Sequence, residues 1–245
     1  MLVVGFDTAT PAVSVALHNG ERIVAAGGGG AATVDARRQG ELLAPMIASV
    51  LADAGATRED LTAVAVGVGP GPYTGLRVGL VTARVLGAVL GIPVHGVCTL
   101  DIIAAQSPNE GREFLVATDA RRKEVYWARY DPDGRRTDGP HVGPADAIEG
   151  AAMLPVAGDG GRMYPEAFGE LTGPAHPDAR MLCELVADGI NGRSRVEPLP
   201  PEPLYLRRPD AREPGAPKRV TRGSLGEISP AGGSPGGRPP GVIEP

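Results

Sequence analysis

The sequence predicts an α/β fold of two lobes, each a mixed sheet flanked by helices. Three observations predict it. Short valine-rich runs of strand length are interleaved with longer segments whose apolar residues recur at helical spacing. An Asn19-Gly20 pair between two such runs signals a hairpin near the start, so the first sheet contains an antiparallel pair as well as crossovers. The same mixture of strands and helices returns after Arg112, which suggests a second, related lobe.

The elements follow in order. Residues 2–6 form an apolar strand that stops at Asp7-Thr8-Ala9-Thr10-Pro11, a turn cluster that cannot continue it. Residues 13–17 alternate valines with small residues, Asn19-Gly20 supplies a two-residue turn, and residues 23–26 return as a strand. Gly27 to Gly30 reads as a flexible loop. Leu42, Leu43, Met46, Ile47, Val50 and Leu51 lie at helical spacing over 41–54, and Gly55 closes that helix. Residues 61–68 are a buried strand, 76–90 a helix apolar on most faces, and 92–97 another strand. In the second tract, 114–118 and 125–130 form a hairpin around 119–124. A short helix at 145–148, a strand at 154–157 and a helix at 179–190 complete it. The expected division is a first lobe over 1–105, a smaller lobe over 106–207 and a tail over 208–245.

Composition bounds the function. The 245 residues contain 36 glycines and 25 prolines, about a quarter of the chain, which touches the range of low-complexity sequence. About a quarter of these fall after Arg208, where apolar residues are scattered without period, so 208–245 is expected to be disordered. That tail reads as a solubilising appendage, with a weak brush against RNA as the other reading. From Pro201 onward seven basic residues stand against five acidic ones, and this +2 leaves −7 of the total −5 on the body. A body that acidic is a poor electrostatic match for nucleic acid on its own. Two cysteines, Cys98 and Cys183, do not make a disulfide framework. No apolar run suits a bilayer and the start lacks a cationic leader, so neither membrane insertion nor secretion is expected and a cytoplasmic location is.

The most distinctive segment is Gly67-Val68-Gly69-Pro70-Gly71-Pro72-Tyr73-Thr74-Gly75-Leu76-Arg77, which links a strand to a helix where free amides favour anions. It lacks the lysine of a P-loop, and its last glycine falls one position late for the dinucleotide pattern. A rigid turn and a phosphate or partner contact both remain open, with Gly71 and Thr74 the candidates. Asp7 and Thr8 end the first strand where proteins of the actin, sugar-kinase and Hsp70 superfamily hold magnesium near ATP. A glycine normally follows there, and Ala9 replaces it, so Asp7 is either a turn residue or a metal-phosphate contact. Asp119 opens the second-tract hairpin turn. Its neighbours Arg121, Arg122 and Lys123 form a positive tip, better read as solvated than as a phosphate contact. The four histidines are far apart in sequence, no serine elbow occurs, and neither cysteine has a C-x-x-C partner.

Together these segments resemble the TsaB (YeaZ) family. The resemblance rests on Asp7-Thr8-Ala9-Thr10, Glu41-Leu42-Leu43-Ala44-Pro45-Met46, the segment from Gly69 to Arg77 and Ile92-Pro93-Val94. It continues through Asp119-Ala120-Arg121-Arg122-Lys123-Glu124-Val125-Tyr126, Gly158-Asp159-Gly160 and Pro203-Leu204-Tyr205-Leu206-Arg207. It implies an actin-like, two-lobed fold of the ASKHA, ribonuclease H-like kind. It also implies a non-catalytic scaffold subunit in the formation of threonylcarbamoyladenosine at adenosine 37 of tRNAs that read codons beginning with A. In that picture TsaD carries the chemistry, TsaE joins as an ATPase, and tRNA is held indirectly. The first-lobe helices would face TsaD, through Glu41, Leu42, Met46, Ser49 and Val50 on one and Arg77, Leu80 and Arg84 on the other. A homodimer of the free subunit, and ATP or ADP with magnesium at the complex interface, are further expectations.

Two departures from the family pattern stand out. Gln39-Gly40 replaces a usual histidine and serine, and Gln39 cannot titrate. Pro72-Tyr73 replaces a usual serine and phenylalanine, which removes one amide from any anion cradle. An ATP-binding actin-like kinase using Asp7, Thr8, Gly71 and Asp119 is the alternative, and a peptidase of the M22 type lacks any assembled chemistry.

Overall fold

In the computed structural model the described residues are 1–28, 38–108, 110–193, 196 and 198–207. The expected disordered tail and residues 29–30 of the expected glycine loop lie outside them. Five strands, β1 (Val3–Asp7), β2 (Ser14–His18), β3 (Ile23–Gly28), β4 (Ala63–Gly67) and β5 (Val94–Val97), form the first sheet in the order β3-β2-β1-β4-β5. β1 pairs antiparallel with β2 and parallel with β4, so the sheet is mixed as expected. The β2–β3 turn is longer than the predicted two residues. His18 pairs with Ile23, and the Asn19 side chain accepts from the amides of Glu21 and Arg22, an Asx turn that overrides the Asn-Gly signal.

Alternation along β1 sends its side chains to opposite faces, and both are covered. Val4 and Phe6 join a core with Leu43, Ile47, Val50 and Leu51 of α1 (Gln39–Asp53) and Leu76, Leu80 and Ala83 of α2 (Tyr73–Leu90). Val3 packs with Ile102 of α3 (Thr99–Gln106) and with Leu182 and Val186 of α5 (Ala179–Ile190). α5 comes from the second half of the sequence but packs on the first sheet, where a Cβ at Gly5 would sit 2.4 Å from Cys183 Sγ. α1 ends as predicted, with Gly55 in the left-handed region and the Ala56 amide bonded to Leu51 O.

The second sheet has the order β8-β7-β6-β9, built from β6 (Phe114–Asp119), β7 (Glu124–Tyr130), β8 (Arg136–Pro144) and β9 (Val156–Ala157). α3 fills the space beside it, with Leu100 and Ile103 against Phe114, Val116 and Tyr130, while Ile102 belongs to the first-sheet core. Because α3 is buried on nearly every side it carries no amphipathic period, and the sequence reading passed over it. β8 was missed for the opposite reason. It is a polar edge strand with Gly139 and Pro140 inside it. The predicted helix at 145–148 is a single 3₁₀ turn, Ala145–Ala147, and a short α4 (Asp159–Met163) follows β9.

α2 is the one helix among the described residues whose length and composition suit a membrane crossing. One face of it lies in the first core and the other carries Arg77 and Arg84.

Candidate functional site

The loop after β1 is gripped from three sides. Asp7 Oδ1 accepts from the Ala9 amide (2.7 Å), and Oδ2 accepts from Thr99 Oγ1 at the start of α3 (2.7 Å). Thr8 Oγ1 donates to Gly75 O (2.7 Å) and accepts from the Gly79 amide (3.0 Å), which ties the loop to α2. Gln39 Nε2, at the start of α1, donates to the carbonyls of Thr8 and Thr10. So the glutamine in place of the usual histidine is a buried brace between α1 and this loop.

The glycines permit this closeness. A Cβ at Gly67 would stand 1.7 Å from Asp7 Oδ2, one at Gly71 would stand 2.2 Å from Ala9 O, and one at Gly75 would stand 2.4 Å from Thr8 O. The segment is therefore a packing surface for the β1 loop. Asp7 is fully buried, and burial raises its carboxyl to about 6 against the opposing pull of the Thr99 and Ala9 hydrogen bonds. At 0% exposure neither carboxylate oxygen is open to a magnesium ion as folded. Of the five expected phosphate contacts, Asp7, Thr8 and Gly71 are buried where the β1 loop meets the glycine segment, Thr74 is exposed on the first turn of α2, and Asp119 ends β6 of the second sheet. As folded, these residues do not fit a magnesium-nucleotide cradle.

At the end of β6, Asp119 Oδ1 accepts from the Arg121 amide (2.7 Å) and Oδ2 pairs with the Arg121 guanidinium (3.1 Å). The Asp119 amide donates to Asp159 Oδ1 (3.1 Å). Burial raises the Asp159 carboxyl and lowers His176, each opposed by the other's charge. His176 Nδ1 is buried without a hydrogen-bond partner. The sequence reading treated His176 as isolated, and only the Gly158-Asp159-Gly160 motif pointed toward this corner. Among the described residues no three His, Cys, Asp or Glu side chains gather as metal ligands.

The β6–β7 turn is strained. Arg121, Arg122 and Lys123 have φ of 62°, 57° and 65°, three consecutive side-chain-bearing residues in the left-handed region. Each costs on the order of 1–2 kcal/mol there. The turn is held by the Glu124 amide on Arg121 O, the Ala120 amide on Glu124 O, and Arg207, which donates to Ala120 O and pairs with Glu124. Two residues before Arg207, Tyr205 stacks on Tyr73 (5.2 Å), and Arg77 lies 4.0 Å over that Tyr73 ring. The segment from Pro203 to Arg207 thus joins the start of α2 to the second-sheet hairpin.

The expected partner-facing residues divide by burial. Val50 and Leu80 are 1% and 4% exposed and belong to the protein's own core. Glu41, Ser49, Arg77 and Arg84 are exposed, and Leu42 and Met46 half-buried. The sequence reading missed Val81, Val85 and Val89, which are 58%, 54% and 76% exposed on α2. Their signal was the four-residue spacing from Tyr73 through Arg77, out of phase with the buried Leu76, Leu80 and Ala83.

The first sheet with helices on both faces, joined through α3 to a second mixed sheet, is an actin-like fold of the ASKHA type. YeaZ from Pseudomonas aeruginosa superimposes with a TM-score of 0.68 at 28% identity, covering 84% of this chain and 99% of that one. The family model described as TsaD, tRNA N6-adenosine threonylcarbamoyltransferase, matches residues 13–162. An uncharacterized protein of Mycobacterium tuberculosis (strain ATCC 25618 / H37Rv) is 45% identical over 86% of this chain and 93% of its own length. The tRNA threonylcarbamoyladenosine biosynthesis protein TsaB of Escherichia coli (strain K12) is 31% identical over 84% and 95%. The chain belongs to the TsaB (YeaZ) family.

Proposed function

We propose that this protein is a non-catalytic partner subunit in the formation of threonylcarbamoyladenosine at adenosine 37 of tRNAs reading codons that begin with A. It docks on TsaD through α1 and α2, and TsaE joins the pair. The observation that carries this reading is the exposed α2 face. Three valines with more than half of their surface in water contribute little to the fold, and valine is a mediocre helix former at an exposed position. Beside them α1 presents Ala44, Pro45, Ala48 and Ser49, small residues that let a facing helix approach closely. In the free subunit the same apolar face would pair two copies.

A supporting role fits the rest of the molecule. Both cysteines are fully buried, and burial pushes the Cys98 thiol up to about 12 and raises that of Cys183 as well, the reverse of an activated nucleophile. The Asp7 carboxylate is committed to Thr99 and Ala9, which disfavours the kinase reading. The name of the Escherichia coli relative supports the pathway, and the likeness to the TsaD family model supports a TsaD-complex setting.

The test is to deplete the protein and quantify threonylcarbamoyladenosine in bulk tRNA, alongside size-exclusion chromatography of the full chain mixed with its TsaD. Loss of the nucleoside and co-elution at micromolar concentration are expected. Modification that persists after depletion refutes the role, and separate elution refutes the docking.

A further inference from the structure

The β6–β7 hairpin tip is costly in a way that its fold does not require. The turn is closed by the Glu124 amide on Arg121 O, with Arg122 and Lys123 between them, both at positive φ. That is the arrangement of a type I′ turn, which Asn-Gly satisfies with least strain. Arg122 and Lys123 occupy those two places, and Arg121 before them is also left-handed. All three side chains are exposed at the end of the second sheet. Strain of this kind persists where surrounding contacts enforce it, and here Asp119 and Arg207 do so from either side of the turn.

A cavity opens beside the tip. It has a volume of about 370 Å³ and is lined by Lys123, Asp146, Met163, Tyr164 and Glu166 among others. Lys123 therefore belongs to both the cationic tip and the cavity wall. Tyr164, half-buried against the second-sheet core, lines the cavity with an aromatic side chain of the kind on which unpaired bases stack. The carboxylates of Asp146 and Glu166 can accept from the N–H groups of a base edge. The cavity is of small-ligand size, enough for one nucleoside.

We propose that this tip and cavity form an RNA contact, with phosphates of tRNA on Arg122 and Lys123 and one unpaired base against Tyr164. The assignment of tRNA rests on the role proposed above, but the surface is on the second sheet and is separate from the α1–α2 face. It departs from the expectation that tRNA is held only by partners. The acidic body opposes long-range attraction, so the contact is local and strengthened when a partner supplies the rest of the RNA footprint.

The experiment measures binding of an unmodified tRNA transcript by fluorescence anisotropy between 50 and 200 mM salt, which spans the range where phosphate contacts show. It uses the full chain alone and in complex with TsaD. The double variant R122N/K123G is expected to raise the thermal midpoint by relieving the turn and to weaken tRNA binding about tenfold. The magnitude of its log–log salt slope should fall by roughly 1.5–2, the share of two lost phosphate contacts. Y164A is expected to weaken binding about fivefold or more with the slope unchanged, and Y164F to restore it. Unchanged affinity and slope in R122N/K123G overturn the proposal, as does tRNA affinity undetectable in both the chain and the complex. Loss of TsaD co-elution with tRNA affinity retained also overturns it, because the tip then belongs to a protein interface. Threonylcarbamoyladenosine that survives depletion refutes the pathway role instead and leaves the anisotropy result to stand by itself.

Discussion

Thr99 Oγ1 donates to Asp7 Oδ2 at 2.7 Å while accepting from the Gly69 amide at 3.1 Å, so one hydroxyl at the start of α3 joins the end of β1 to the glycine loop. The Thr99 amide completes the clasp by donating to Gly69 O at 2.8 Å. Three segments far apart in sequence meet at this point, and all three residues are buried. The corresponding place in ATP-using members of the superfamily is where a metal-bound phosphate is expected, and in this chain it is an internal joint.

Asp7 gives that joint a pH signature. Its folded pKa of about 6 lies above the ordinary 3.8, with burial as the main cause. Between those values the native state holds a proton that the unfolded chain has already lost, so stability falls as pH rises through the window. The shift corresponds to about 3 kcal/mol, fully present below pH 4 and gone above about pH 6. Asp7→Asn keeps an acceptor for the Ala9 amide and cannot titrate. Unfolding free energies of the two proteins, from urea titrations between pH 4 and 7, should diverge by that amount in favour of the variant. Parallel curves would show that Asp7 does not change its protonation in the native state.

Much of this was legible before folding was considered, and the gaps have physical reasons. The Asp7–Thr10 turn, the glycine loop, the hairpin at 119–124 and α5 are set by local signals: a turn cluster, prolines and glycines, and a clear helical period. α3 was invisible because Leu100, Ile102 and Ile103 face two different cores, which erases the period. The role of Asp7 was left open because burial by Thr99, ninety-two residues away, has no local trace. That Val50 and Leu80, among the expected partner-facing residues, belong to the core has no sequence signature, because a helix with two apolar faces does not say which one meets its own sheet. The strain at Arg121, Arg122 and Lys123 had no sequence signal either, since none of the three favours the left-handed region.

Gly71→Ala and Gly91→Ala separate packing from backbone strain. Gly91 ends α2 at φ 65° with nothing within 4 Å of a new Cβ, so its variant pays only the left-handed cost, on the order of 1 kcal/mol. Gly71 meets the carbonyl of Ala9 at 2.2 Å, and main chain cannot yield as a side chain does. Its variant should lose roughly 3 kcal/mol or fail to accumulate as soluble protein. Denaturant titration of both checks the order, and equal losses would mean that the loop can retreat from β1.

Both thiols should be silent in the native protein. Cys98 and Cys183 are fully buried, and their raised pKa values leave negligible thiolate at pH 8. A chromogenic disulfide reagent is expected to titrate neither thiol until denaturant is added, and then both. A thiol that reacts rapidly in native buffer would expose a nucleophile and reopen a catalytic role for this chain.

The α2 face offers the sharpest contrast, because adjacent residues should fail in different ways. Val81 and Val85 are 58% and 54% exposed, so V81E/V85E should change unfolding free energy by no more than about 0.5 kcal/mol per site. The same two carboxylates placed in an apolar helix-to-helix contact would be desolvated without partners, and TsaD binding should weaken at least a hundredfold. Leu80, one position before Val81, is 4% exposed and packs in the first-sheet core. L80E should unfold the protein and lose TsaD only for that reason. Circular dichroism with calorimetric titration of TsaD separates the two outcomes. A folded V81E/V85E that still binds with wild-type affinity removes α2 from the interface, and the exposed valines would then need another occupant.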